Sequence, residues 1–156
     1  MHRRTWGVML LLGANVVIAP LDHAIASGTS GATATGDVAF QLQIDPKRKG
    51  TIRCALYRDE KTWLGDTPFR TAVASPSAPL VTCRFRNVPK GNYAAAALHD
   101  EDDNKKMTKN VLGLPTEGYA ASRNAHVGVL GPPKWDAAVF AHRSGEHTVE
   151  RAEMKY

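Results

Sequence analysis

Residues 91–110 have the sequence GNYAAAALHDEDDNKKMTKN, and this stretch decides how the rest of the chain is interpreted. After a turn signal it runs through four consecutive alanines and then enters an acidic, amide-rich segment at His99 and Asp100. The apolar part is too short for a helix, because a proline and a glycine precede it and the acidic segment follows within two turns. We therefore predict a strand over 92–98. Small side chains on both of its faces are typical of a central strand against which large groups pack closely.

The segments on either side of this stretch show the two-residue alternation of half-buried strands. Before it, strands are predicted over 37–44, 51–57 and 80–88. The turn signal at 46–50 indicates that the first two of these form a hairpin. After it, strands are predicted over 126–129, 139–142 and 148–156, with one helical turn over 134–138. Several short strands without a long amphipathic helix indicate an all-β fold, an antiparallel β-sandwich of about seven strands with long loops.

The amino terminus has the pattern of a secretory signal peptide. Two arginines precede an apolar run of about 14 residues, which is shorter than the roughly 20 residues of a membrane span. We predict a signal peptide over 1–26, a flexible leader over 27–36 and a single domain over 37–156, in a periplasmic or secreted protein without a membrane span after cleavage. The signal peptide contains two arginines and one aspartate, so cleavage changes the formal charge from +5 to +4. That scattered charge forms no basic patch, and we expect no nucleic-acid partner.

The chain contains two cysteines, Cys54 and Cys83, and both fall at inward positions of predicted strands. Export would take them to an oxidising compartment, where such a pair is usually bridged. We predict a Cys54–Cys83 disulfide with a structural role, since no CxxC redox motif is present.

The acidic segment matches a calcium-binding loop only in part. Such loops carry oxygen ligands at alternate positions, a glycine at position six and a bidentate glutamate at position twelve. Counted from Asp100, position six is Lys105 and position twelve is Val111. We therefore predict no metal site and a loop in which Asp and Asn side chains accept hydrogen bonds from nearby backbone N–H groups. The alternative is a weak calcium site formed by Asp100, Asp102 and Asn104.

Several motifs in a fixed order resemble one known family. They are VPKGNYA at 88–94, HD at 99–100, LGLPTEGY at 112–119, SRN at 122–124 and GPP at 131–133. The chain resembles domain of unknown function 2141, a family of uncharacterised exported bacterial proteins. The resemblance implies a transthyretin-like or immunoglobulin-like β-sandwich with no established activity, substrate or cofactor. The family commonly has glycines and a late aspartate after the His-Asp pair, where this chain has Asp103, Lys105 and Thr108, a difference that weakens a metal role.

Functional residues are expected on the loop face formed by residues 99–135. Outward strand positions carry ordinary solvated side chains, whereas these loops concentrate acidic, aromatic and arginine residues of the kind that binding sites favour. We predict a non-catalytic binding module whose partner is an envelope protein or a small ligand, with no cofactor. The predicted recognition residues are His99, Asp100, Tyr119, Arg123 and Asn124. A structural envelope component without a ligand is the alternative.

An enzyme is the least favoured hypothesis. It would start from His99 beside Asp100, with Ser122 as a nucleophile. Adjacent residues of a strand point to opposite faces, so these two side chains do not form a dyad within a strand. The sequence also lacks a nucleophile elbow and a zinc-binding pair of histidines.

Overall fold

The computed structural model describes residues 34–113, 115–126 and 131–156, and strands dominate them. The strands are β1 (Gly36–Gln43), β2 (Thr51–Tyr57), β3 (Arg70–Ala74), β4 (Leu80–Val88), β5 (Gly91–Asp100), β6 (Gly118–Ala121), β7 (Phe140–His142) and β8 (His147–Glu153). One helical turn, α1 (Trp135–Ala138), precedes β7. No helix within these ranges has the length and apolar composition needed to cross a bilayer. The predicted signal peptide, most of the leader and most of the strand predicted over 126–129 lie outside the described residues.

The strands form two sheets that enclose the main core. One sheet has the order β4–β1–β8, and the other has the order β3–β2–β5–β6 with β7 also paired to β5. Side chains from both sheets meet between them, Phe40 and Phe85 from one and Ile52 and Leu56 from the other. The predicted all-β sandwich is therefore confirmed. Its strand pairs are antiparallel except for β1 and β8, which run parallel.

The predicted hairpin of β1 and β2 is wrong. β1 pairs with β4 on one edge and β8 on the other, whereas β2 lies in the second sheet between β3 and β5. The Ile44 N–H, just past β1, donates to the Pro79 carbonyl at 2.8 Å, so the pairing towards β4 continues to the start of the turn. Alternation fixes which side chains face the core, but it does not say which strand lies alongside, and the segment at 44–50 connects the two sheets.

The predicted disulfide is formed, and it joins the two sheets. Cys54 lies on β2 and Cys83 lies on β4, with a sequence separation of 29. Both residues are buried in the main core. The covalent link therefore crosses the sandwich between strands that share no backbone hydrogen bonds.

The alanine-rich strand β5 is central, as predicted. It pairs with β2 on one edge and with β6 on the other. Ala95 and Ala97 face the main core, while Ala94 belongs to a second buried cluster against which Trp63 and Trp135 pack. The two indole rings meet edge to face with centroids 5.9 Å apart. Small side chains allow these large rings to approach the backbone of β5, which explains an alanine run in a strand.

Candidate functional site

Four side chains form a row across the outer face of the second sheet, the face turned away from the first sheet. Arg53 on β2 is opposite both Val73 on β3 and Leu98 on β5, and Leu98 is opposite Tyr119 on β6. Directly opposed residues of antiparallel strands have Cβ atoms about 5 Å apart. Each of the four side chains therefore lies next to the following one across the sheet, in the order Val73, Arg53, Leu98 and Tyr119. Val73 is 64% exposed, and the other three are half-buried. We call these four residues the cross-strand row.

An ion pair between Arg53 and Asp100 lies at one end of this outer face, where β5 ends. Asp100, the last residue of β5, is completely buried, and its Oδ2 accepts a hydrogen bond from Arg53 Nε at 2.5 Å. The same carboxylate accepts the backbone N–H groups of Asn104 and Lys105, each at 3.0 Å. Burial raises the pKa of Asp100, but the bonds from Arg53 and the two N–H groups outweigh it and hold this pKa below its usual value. Arg53 also bonds Asp103 through Nη2 at 2.5 Å, and its own pKa is raised by its bonds to Asp100 and Asp103.

A second buried carboxylate fixes the long loop between β5 and β6. Glu117 accepts the N–H of Glu101 at 3.0 Å through one oxygen and the N–H of Thr108 at 2.9 Å through the other. Glu101 is further tied to Arg48 at 2.6 Å. Carboxylates that accept backbone N–H groups replace the missing sheet partners of a loop. Asp100 and Glu117 therefore hold the first part of this loop in one conformation.

Three carboxylates in this region lie within reach of a common cation. Oxygen atoms of Asp100, Asp102 and Glu117 lie within 4.8 Å of one another. The oxygens of Asp100 and Glu117 accept the backbone and arginine hydrogen bonds described above, and Asp102 accepts bonds from both nitrogens of Asn104. The expected caps of local N–H groups are thus present. That the loop binds calcium weakly or not at all stays a prediction.

His99 lies on the opposite side of the strand from Asp100. It is completely buried and faces the first sheet, where its Nδ1 is 2.8 Å from the hydroxyl of Tyr156. Its Nε2 has no hydrogen-bond partner among the described residues. Gly118 is opposite His99 on β6, and a Cβ there would lie 2.4 Å from the Tyr156 ring. Glycine at 118 therefore leaves the space in which Tyr156 reaches the histidine.

We expect Gly118→Ala to lower the free energy of unfolding by about 1–2 kcal/mol, because the added methyl displaces the Tyr156 ring. Urea denaturation measures the change. Tyr156→Ala is the matched background, since it removes the nearest clash and leaves the contact with the flexible Met154 side chain at 2.9 Å. A full loss from Gly118→Ala in the Tyr156→Ala background would contradict this explanation.

Arg123 and Asn124 lie at the other end of β6. Ala121 is opposite Ala96, and the next residue, Ser122, accepts the Ala95 N–H at 2.9 Å, so the chain here has moved away from Asp100. Arg123 donates to the Val139 carbonyl at 3.0 Å. The Asn124 side chain accepts the Glu153 N–H and lines an open cavity of about 390 Å³ beside β1 and β8.

The structure thus separates the five predicted recognition residues. Tyr119 lies in the cross-strand row, with Asp100 buried beside it. His99 faces the interior, and Arg123 and Asn124 lie beyond the far end of β6. Ser122 is buried, and its hydroxyl donates to the Ala138 carbonyl at 2.6 Å.

Sequence reasoning did not assign Arg53 or Glu117 to the site. Arg53 carries a visible signal, a charged side chain at an outward position of a short apolar strand. Its partner Asp100 lies 47 residues later and meets it only through the register of β2 and β5. Glu117 has no such signal, because it stands among turn residues and becomes buried only when the loop folds back.

The fold and this site define a class, an all-β sandwich with a carboxylate-anchored loop beside one outer sheet face. Within that class the chain belongs to the family DUF2141, described as an uncharacterized protein conserved in bacteria, whose model matches residues 33–150. The match confirms the resemblance seen in the ordered motifs. Comparison with curated proteins and with solved structures found no match.

Proposed function

We propose that this protein is an exported, non-catalytic binding module and that the cross-strand row is its contact surface. Export is supported by the amino-terminal pattern of two arginines, an apolar run and small residues before position 27. It is also supported by the Cys54–Cys83 disulfide, because such bonds persist in oxidising compartments.

The observation that carries the binding proposal is the half-exposed row of Arg53, Leu98 and Tyr119. It combines an aromatic, an aliphatic and an arginine side chain on rigid strands, and aromatic and arginine residues are enriched at binding hot spots. Arg53 is already held by Asp100 and Asp103, so its aliphatic part lies in a fixed position on the sheet. A partner would therefore meet a preorganised surface rather than a mobile one.

Two fixed structures border this surface along the strands. The anchored loop stands at the Asp100 end, and the packed pair Trp63 and Trp135 stands over Ala94 at the other end. About six residues of β5 separate these borders, roughly 20 Å of extended chain. Between them the floor consists of small or half-buried side chains, namely Ala55, Ala96 and Leu98. Along β5 this strip has the length of about six residues of an extended peptide.

The absence of catalysis is part of the proposal. The polar groups that chemistry would need are withdrawn from the surface, since His99, Asp100 and Ser122 are all buried, and the side chains of Asp100 and Ser122 are hydrogen-bonded within the fold. A group that must react with a substrate has to be accessible to it and within hydrogen-bonding reach.

Photocrosslinking in the producing cells tests the contact surface. We expect a photoreactive phenylalanine analogue that replaces Tyr119 to give a discrete adduct, and the same analogue in place of Arg84 to give none. Arg84 is the matched control, because it is an exposed strand residue on the outer face of the other sheet. No adduct from position 119, or identical adducts from both positions, would contradict the proposal and favour a structural component without a ligand.

A further inference from the structure

The most exposed apolar side chains of the described chain stand together at the end of a hairpin. Val111 is 101% exposed and Leu112 is 79% exposed, more than any other large hydrophobic residue described. They follow Lys109, which forms an antiparallel bridge with Pro115. The Thr116 N–H donates to the Thr108 carbonyl at 3.0 Å, and a turn bond joins Gly113 to Asn110. We call residues 108–113 together with 115–116 the hairpin arm, and Val111 with Leu112 its apolar tip.

The arm has a rigid base, and the lysines within it and just before it give this part of the chain a charge of one sign. Thr108 at its base is bonded through its N–H to the buried Glu117, which belongs to the anchored loop. Residues 105–116 contain three lysines and no acidic residue. Lys105, Lys106 and Lys109 are exposed and take part in no ion pair among the described residues. The neighbouring Glu101 and Asp103 are instead paired with Arg48 and Arg53.

We propose that the hairpin arm docks on an anionic lipid surface, with the apolar tip in the headgroup–acyl boundary and the three lysines against the lipid charges. Three residues of extended chain separate Thr108 from Val111, a reach of about 10 Å. Interfacial protein segments bury their apolar side chains about 5–10 Å into this boundary. Lysines close to such a surface add electrostatic attraction to anionic headgroups.

The shape and charge of the arm select this occupant over a second copy of the chain. A protruding tip needs either a soft surface or an apolar groove of matching size. Both surface cavities found in the described part of the chain have two charged side chains in their lining, Arg151 and Glu153 in one and Arg58 and Asp59 in the other, so neither is the wholly apolar groove that the tip would need. A bilayer of anionic lipid can accommodate the apolar tip and attract the three lysines near it. The inference does not rest on the proposed function, because the cross-strand row takes no part in it.

Co-sedimentation of the purified protein with vesicles tests the proposal. We expect binding to phosphatidylglycerol vesicles, weaker binding to phosphatidylcholine vesicles, and a loss of affinity as salt is raised. The double variant Val111→Ser/Leu112→Ser should lose about tenfold or more of the partition coefficient, since its tip no longer transfers apolar surface. The double variant Leu64→Ser/Leu80→Ser is the matched control, because these apolar residues are exposed elsewhere and lie outside the cross-strand row, and it should bind like the parent.

Neutralising the lysines tests the electrostatic half of the contact. Replacement of Lys105, Lys106 and Lys109 by glutamine should weaken binding to phosphatidylglycerol vesicles by about a hundredfold. The matched pair Arg84→Gln/Arg86→Gln should change it by less than about threefold. Unchanged binding after loss of the tip, equal binding to both lipids, or no vesicle binding would overturn the proposal. So would self-association of the parent, seen by analytical ultracentrifugation, that the tip variant abolishes. Circular dichroism and melting curves confirm that each variant is folded.

Discussion

The double variant Cys54→Ala/Cys83→Ala is expected to lose about 3–4 kcal/mol of unfolding free energy, which corresponds to a melting temperature lower by about 10–15 °C. The bond closes a loop with a sequence separation of 29. Without it the unfolded chain gains the conformational freedom that this closure removes. The size of the effect is large for a domain of this length, because typical total stabilities are only about 5–15 kcal/mol.

The position of the bond adds a second reason. Cys54 and Cys83 lie on strands of different sheets, so the bond restricts how far the two halves of the sandwich separate in partly unfolded states. Urea denaturation of the parent with and without a reductant, beside the double variant, measures the effect. The reduced parent and the variant should have similar midpoints, and the variant should not respond to the reductant. An unchanged midpoint in the variant would show that side-chain packing alone holds the sheets together.

Local patterns predicted the individual strands well. The predicted bounds 51–57 and 80–88 are the observed bounds of β2 and β4. Apolar and polar side chains alternate along a strand that buries one face, so the alternation begins and ends with the strand. β3 and β6 were missed. β3 lies within a proline-rich segment, and β6 has only four residues, GYAA, too few to display a period.

Strand partners were not predictable in the same way. The parallel pairing of β1 with β8 joins segments about 110 residues apart, and no local turn motif in the sequence indicates it. The error over β1 and β2 has the same origin, since proximity in sequence favours a hairpin but the two strands bury their apolar faces from opposite sheets. The register between distant strands is set by packing of the whole core. It therefore cannot be predicted from the local pattern of any one segment.

The candidate site could likewise be predicted where it depends on local sequence and not where it depends on the pairing of distant strands. The sequence identified the acidic loop and Tyr119 by composition, and the structure adds Arg53 and Leu98 through the register of β2, β5 and β6. His99 and Asp100 attracted functional hypotheses because they are polar residues at the end of an apolar strand. Both are buried, His99 against Tyr156 and Asp100 against Arg53.

The variant Asp100→Asn is expected to lose about 2–3 kcal/mol of unfolding free energy at neutral pH, because the carboxylate accepts hydrogen bonds from Arg53 and from two backbone N–H groups. An amide keeps one acceptor oxygen but turns an N–H₂ group towards these donors. The loop after β5 then loses its anchor, and Arg53 loses its buried partner. The matched control is Asp103→Asn, which bonds the same guanidinium from an exposed position and should cost less than about 1 kcal/mol.

The pH dependence of this difference distinguishes a charge effect from a packing effect. The pKa of Asp100 is lower in the folded than in the unfolded chain, so its stabilisation is complete above the ordinary carboxyl pKa of about 4 and is lost as pH falls through the folded value. Burial raises the pKa of Glu150, which has the opposite effect on stability, and subtracting variant from parent removes that contribution. Urea denaturation from pH 7 down to the most acidic pH at which the chain folds should therefore show the two stabilities converge as Asp100 is protonated. A difference that stays constant over this range would mean that the amide destabilises the fold through its hydrogen-bonding geometry and not through the loss of charge. The ion pair with Arg53 would then not be what holds the loop.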